Sequence, residues 1–242
     1  MHQRTPEGSG EPARRFAFEQ LRLAILRGDL APGQRMHEPD FSERLGVTRG
    51  SVRAAMIDLA ADGLVERVHN RGTRVRVYSL DEAVAITECR MALEGLCAAR
   101  AASLATDTQV AELVDLGEEM AAAAAAQSFE RYAGLNRQLH NRLIDVSRQR
   151  SAAEMLDRLN SQLARHHYRL ALLPGRPQQS LDEHLAVIAA VRAGNPQAAE
   201  AAARAHLLSV AQALRRLSAD AAPTPYPHPV QERYPYDHPA PR

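Results

Sequence analysis

Leu45-Gly46-Val47-Thr48-Arg49-Gly50-Ser51-Val52-Arg53-Ala54-Ala55-Met56 is the stretch on which the fold of this 242-residue chain turns. Gly46 can take the left-handed backbone that a tight turn between helices requires. Thr48 follows as a good N-cap, since its side-chain oxygen can accept a bond from a backbone N–H within the first turn. Val52, Ala55, Met56 and Leu59 then recur at helical spacing, a buried stripe that runs until Gly63 stops the helix. Upstream, Pro39 to Leu45 reads as a short helix. Before it comes an amphipathic run from Phe16 to Arg27, apolar at positions 18, 21, 25 and 26, which Gly28, Pro32 and Gly33 break. Downstream, Leu64–Val68 and Thr73–Val77 read as short strands. His69-Asn70-Arg71-Gly72 joins them as a turn rich in residues that tolerate positive φ. Helix, helix–turn–helix, hairpin is the outline of a winged helix-turn-helix.

From Leu80 to Leu217 the pattern changes to Ala-rich amphipathic helices. Breaks fall near Thr106-Asp107, Gln127-Ser128, Gln149-Arg150-Ser151, Pro174-Gly175 and Gly194-Asn195-Pro196. These predict an all-α bundle of about six helices, without the sustained heptads of a coiled coil. Asp81 and Ser128 are expected N-caps, and Pro196 suits the first position of the last helix. The chain as a whole is mainly α. Four segments follow: residues 1–12 as an unanchored arm, 13–79 as the winged helix-turn-helix, 80–219 as the bundle, and 220–242 as a tail. The tail holds seven of the fourteen prolines, interleaved with Tyr226, Tyr234 and Tyr236, and is expected to be extended.

Several classes drop out on composition. No stretch approaches the roughly 18–20 uncharged apolar residues of a membrane span. The opening MHQRTPEGSGEPARR is no signal peptide. With Cys89 and Cys97 as the only cysteines, a disulfide scaffold is excluded and a cytoplasmic location is expected. Both read as small core residues of one helix. All 30 basic residues are Arg, and the formal net charge is +1. That balance hides an asymmetry, because residues 13–79 hold twelve Arg against eight acidic residues. The excess is a modest pointer to a polyanion.

In a winged helix-turn-helix the second helix of the turn enters the major groove, its N-terminal residues nearest the bases. Here those are Thr48, Arg49, Gly50, Ser51 and Arg53. Arg49 can offer a fork to guanine O6 and N7, and Thr48 and Ser51 can bond phosphates or base edges. Gly50 permits close approach. Arg71 with Gly72 at the hairpin tip is placed for phosphates or the minor groove, with Arg74 and Arg76 adding charge. The plainer alternative is that these arginines form a solvated surface, and the ordered sequence of turn, cap, helix and wing weighs against it.

In the bundle, Asn136 and His140 stand one turn apart and project from the same face. His184 and His206 lie in two later helices. Three imidazoles and an amide oxygen converging inside a bundle could hold a divalent ion. Scattered histidines are, on spacing alone, more often surface or satisfied core groups.

Residues 16–79 closely resemble the DNA-binding domain of the GntR family of bacterial transcription regulators. The resemblance rests on Ile25-Leu26-Arg27-Gly28-Asp29-Leu30-Ala31-Pro32-Gly33, Leu45-Gly46-Val47-Thr48-Arg49, Val52-Arg53-Ala54-Ala55-Met56, Gly63-Leu64-Val65 and Asn70-Arg71-Gly72. Departures are Gly50-Ser51 where Thr-Pro is common, Ala54-Ala55-Met56 for Glu-Ala-Leu, and Pro39 where some members carry a DNA-contacting Arg. Residues 80–217 are similar to the FCD ligand-binding domain of the FadR-type branch, through Arg90-Met91-Ala92-Leu93-Glu94, Asn136-Arg137-Gln138-Leu139-His140, Glu183-His184 and Ala205-His206-Leu207. Leu139 stands where Phe is usual. In that domain an Asp or Asn and three His bind one metal ion at the base of an effector cavity, which implies Asn136, His140, His184 and His206 here. Zinc is the expected ion, with nickel, manganese or iron also suited to such donors. The resemblance further implies a homodimer on a short inverted repeat of double-stranded DNA, most often as a repressor.

Asn136 is the neutral choice at its position. Three neutral imidazoles and an amide leave a dication uncompensated, and a buried +2 charge favours an anionic ligand. A small organic acid is therefore the expected effector. Arg90 and Arg165 would hold its other end, although Arg90 could instead pair with Glu94 on its own helix face. The alternative is a metal-dependent hydrolase, which would need a general base beside a metal-bound water. Glu183 neighbours His184, but adjacent helical positions do not share a face. No enzyme is expected.

Overall fold

The computed structural model describes residues 10–68, 72–163, 166, 169–170 and 173–219. The chain divides into two compact units, separated in sequence between Val77 and Tyr78.

The first unit runs α1 (Glu11–Arg27), β1 (Arg35–Met36), α2 (Glu38–Leu45), α3 (Arg49–Ala61), β2 (Val65–Val68) and β3 (Gly72–Val75). Thr48 stands in extended backbone ahead of α3, and its hydroxyl accepts from the Ser51 N–H at 3.2 Å. Gly46 takes the left-handed conformation at the end of α2, with φ of 65°. The stripe of Val52, Ala55, Met56 and Leu59 is buried, none above 3% exposed. It packs with Leu21, Leu30, Phe41, Val47, Leu64 and Val75 in one core. A fully buried leucine such as Leu59 contributes about 1.5–3 kcal/mol to such a core.

Two details differ from the sequence reading. Helix α1 begins at Glu11, before Phe16 and inside the stretch expected to be an unanchored arm. Its buried row is Ala13, Ala17 and Leu21. Alanines at every fourth position bury a helix face without looking strongly apolar in sequence, and Pro12 is tolerated in a first turn. The sheet has three strands in the order β1-β3-β2, all antiparallel, with Arg35 opposite Arg74 and Val65 opposite Val75. A two-residue strand such as β1 is too short to show alternation. The expected turn residues His69, Asn70 and Arg71 lie outside the described residues.

The second unit comprises α4 (Leu80–Leu104), α5 (Asp107–Ala125), α6 (Phe129–Ser147), α7 (Arg150–Gln162), α8 (Arg176–Arg192) and α9 (Pro196–Ala219). The breaks fall where the sequence places them. The cap of α4 is Ser79 rather than Asp81. Ser79 and Glu82 form a reciprocal capping box, with N–H to side-chain bonds of 3.1 and 3.0 Å. Ser128 occupies the cap position of α6 without a side-chain bond to the helix. Helices α4 and α9 run antiparallel, Glu88 pairing with Arg215 while Gly95 lies against Arg204. Gly117 admits α8 closely, since a Cβ there would meet Ile188 Cδ1 at 2.9 Å. Cys97 is buried, but Cys89 is exposed rather than in the core. They sit at positions of α4 that face different ways. Among the described residues no helix is long and apolar enough to cross a membrane.

Candidate nucleic-acid interface and metal centre

The N-terminal turn of α3 is exposed at Thr48, Arg49 and Gly50. Arg49 has no hydrogen-bond partner among the described residues. Ser51 differs from expectation in its surroundings. It is 6% exposed, and its hydroxyl lies 3.0 Å from the Thr48 hydroxyl, so it works within the cap. Arg53 is exposed but engaged. Its Nε and a terminal nitrogen fork the carboxylate of Glu38 on α2 at 2.6–3.0 Å. The Arg53 bond, then the fields of Arg67 and Arg49, hold that carboxyl below its ordinary range against the opposing effect of partial burial. On the wing, Gly72 is exposed and Arg74 pairs with Glu66 at 2.6 Å. Arg71 lies outside the described residues.

In the bundle, α6, α8 and α9 bring His140, His184 and His206 together, their ligating nitrogens all within 4.8 Å of one another. Each ring is anchored through Nδ1. His140 Nδ1 lies 2.7 Å from Glu94 Oε2, His206 Nδ1 lies 2.7 Å from Glu183 Oε2, and His184 Nδ1 lies 3.3 Å from Ser180 Oγ. Nε2 is then the nitrogen each ring has to offer. His140 Nε2 and His184 Nε2 are 3.1 Å apart. That is close to the spacing of two nitrogens bound about 2.0–2.1 Å from one ion. Carboxylate and hydroxyl partners of this kind fix ring orientation in metal centres.

The carboxylates are themselves held. Arg90 donates to Glu94 Oε1 at 2.7 and 2.9 Å, so the pairing considered for it in the sequence is present. Arg176 and Ser209 bond Glu183, at 3.1 Å and 2.5 Å at the nearest. Burial pushes the Glu94 carboxyl up, but Arg90 and then His140 outweigh it and hold it well below the usual range. Burial, reinforced by the neighbouring imidazoles, pushes His184 and His206 well below the usual histidine value. Neutral imidazoles are the form a metal requires.

Asn136 lies one turn before His140, and its Oδ1 is buried without a hydrogen-bond partner. A buried, unpartnered acceptor one helical turn from His140 and three converging imidazole nitrogens are the kinds of donor a divalent cation takes. Of the remaining expected residues, Arg165 lies outside the described residues. His166 is buried and turned to the Tyr78 carbonyl at 3.1 Å. The sequence reading missed the supporting roles of Glu94, Ser180, Glu183, Arg176 and Ser209. A signal existed for two of them: Arg176 and Glu183 are two turns apart, on one helix face.

Residues 13–75 match the bacterial regulatory proteins of the gntR family, and residues 85–209 match the FCD domain. The HTH-type transcriptional repressor RspR of Escherichia coli is 26% identical over 86% of this chain and 91% of its own length. The HTH-type transcriptional regulator LutR of Bacillus subtilis is 28% identical over 78% of this chain and 95% of its own. The solved structure of E. coli McbR/YncC superposes with a TM-score of 0.70 at 20% identity, covering 85% of this chain and 98% of that one. A GntR regulator from Rhodococcus sp. RHA1 gives 0.66 at 25% identity, covering 85% and 99%. The chain therefore belongs to the GntR family of DNA-binding transcription regulators and carries an FCD domain.

Proposed function

We propose that this regulator is a repressor whose bundle holds one divalent ion on Asn136, His140, His184 and His206 and whose DNA affinity answers to a small carboxylate bound at that ion. The observation that carries the reading is the set of three converging imidazoles, two of them buried and each bonded through Nδ1, together with the unpartnered amide oxygen of Asn136 one turn before His140. Zinc suits these donors, and nickel, manganese and iron also accept them. The surrounding charges support an anionic effector. Glu94 is matched by Arg90 and Glu183 by Arg176, so the surroundings add no net charge and a bound dication keeps its own. Arg90, paired with Glu94 in this structure, and Arg165 are assigned to the effector's far end. Both carboxylates being tied up also weighs against the hydrolase alternative, which needs one of them as a base.

On the DNA, Thr48, Arg49 and Gly50 lead the reading of the major groove, with Arg71 and Gly72 at the wing and the protein acting as a homodimer on an inverted repeat. Effector binding shifts the population between DNA-competent and incompetent states. The test is calorimetry with a panel of small organic acids on zinc-loaded and chelator-stripped protein. Binding to the loaded form alone is expected, and equal affinity for both forms would refute direct coordination. Selection of sheared genomic DNA should return a few sequences that share one inverted repeat.

A further inference from the structure

We infer that Glu38 is a specificity-determining residue, which withholds Arg53 from DNA phosphates and so suppresses binding to non-target sequence. Arg53 lies on the face of α3 that follows Arg49 and Gly50, where a guanidinium would meet the DNA backbone. In this structure the edge formed by its Nε and one terminal nitrogen is already filled by the Glu38 carboxylate at 2.6–3.0 Å. That edge cannot fork a phosphate while it holds Glu38. Glu38 is well placed to keep hold of it. It sits in the first turn of α2, where the helix N-terminus favours negative charge. The positive fields of Arg53, Arg67 and Arg49 converge on it, and its side chain is only 29% exposed.

The consequence is a division of labour among the arginines. Arg49, exposed at the start of α3, is available to a base edge. Arg53 has its orientation fixed across α2 and α3, and its charge is cancelled toward phosphates. Non-specific affinity comes almost wholly from phosphate contacts. One arginine removed from that count lowers background binding without touching the bases.

Salt dependence on a random-sequence duplex tests the idea, because its slope counts neutralised phosphates. Glu38→Gln should bind that duplex roughly three- to tenfold more tightly at low salt, with the slope steeper by about 0.9. Asp40→Asn removes the same charge from the same turn of α2, at a residue that makes no ion pair among the described residues, and should leave the slope unchanged. Arg53→Gln in the otherwise native chain should leave it unchanged too, and combined with Glu38→Gln it should abolish the gain. An unaltered slope in Glu38→Gln, an equal change in Asp40→Asn, or a loss of about 0.9 from Arg53→Gln alone would each overturn the proposal. It rests on α3 being the reading helix, which Arg49→Ala tests separately through base preference.

Discussion

In the winged unit the residues proposed to read the major groove, Thr48, Arg49 and Gly50, are consecutive in the sequence and exposed. The bundle instead gathers its cluster from three helices and buries it: His184 and His206 are no more than 5% exposed. A reading face is locally encoded, because one cap and one helical period place every side chain on it. A buried polar cluster depends on which helices meet, and each polar group in it must find a partner away from water. Damage should therefore propagate differently. In the bundle, removing a partner should threaten the fold. In the winged unit it should change binding while the fold stands.

The largest effect is expected at Glu94, where one carboxylate serves both Arg90 and His140 at 7% exposure. Glu94→Ala removes the carboxylate that a buried guanidinium and an imidazole share, which costs roughly 3–5 kcal/mol. Urea denaturation should show a loss of that order, and zinc affinity should fall about 10–100-fold. A stability change under about 1 kcal/mol would mean that solvent or another group relieves Arg90. His184→Ala comes next. Zinc affinity, followed by chelator competition, should drop by at least about 100-fold, because a ligand counts for more than its orienting partner. Affinity for a random DNA duplex should not move.

Arg49→Ala is the counterpart in the winged unit. It should cost about 1–3 kcal/mol at the selected operator and relax base preference at one position, with thermal stability unchanged. Unchanged affinity and preference would show that the recognition helix is read in the wrong register.

The same contrast explains what was legible in the sequence. Thr48, Gly46 and the Val52–Leu59 stripe announce themselves, because cap, turn and period are all local. Helix breaks in the bundle are legible for the same reason. The early start of α1 was hidden because Ala13 and Ala17 form a face with little apolar signal. Asn136 and His140 share a helix turn, and the resemblance added His184 and His206. The partners that orient those rings were harder to find. Glu183 cannot touch the ring of His184 beside it, and only the packing of α9 on α8 brings His206 within 2.7 Å. The spacing along one helix says nothing of a neighbour supplied by another.

Acid should also separate the two regions. His184 and His206 have folded-state pKa values well below 6.5, chiefly through burial. The unfolded chain takes up protons near 6.5, while the folded chain resists them. The unfolded state then binds more protons below that pH, so stability of the metal-free protein is full above about 6.5 and falls as pH drops. The slope is up to about 1.4 kcal/mol per pH unit for each group. Urea denaturation of stripped protein between about pH 8 and pH 5 reads it directly. A flat profile would mean that the cluster opens to water before it is protonated.

The smallest expected effects are at the helix caps, and there the two regions can be compared at equal cost. Ser79 caps α4 and Thr48 caps α3, each through a side-chain oxygen accepting a backbone N–H at 3.1–3.2 Å. Replacing either by Ala should destabilise by about 1 kcal/mol. The readouts should then diverge. Thr48 is exposed at the reading end of α3, and its hydroxyl also touches Ser51, so Thr48→Ala should weaken operator binding beyond its effect on stability. Ser79→Ala removes a bond of the same kind from a helix whose buried work is to hold Glu94, and should leave operator affinity unaltered. If both variants weaken the operator equally, the Thr48 hydroxyl contributes only as a cap, and the DNA contacts begin at Arg49.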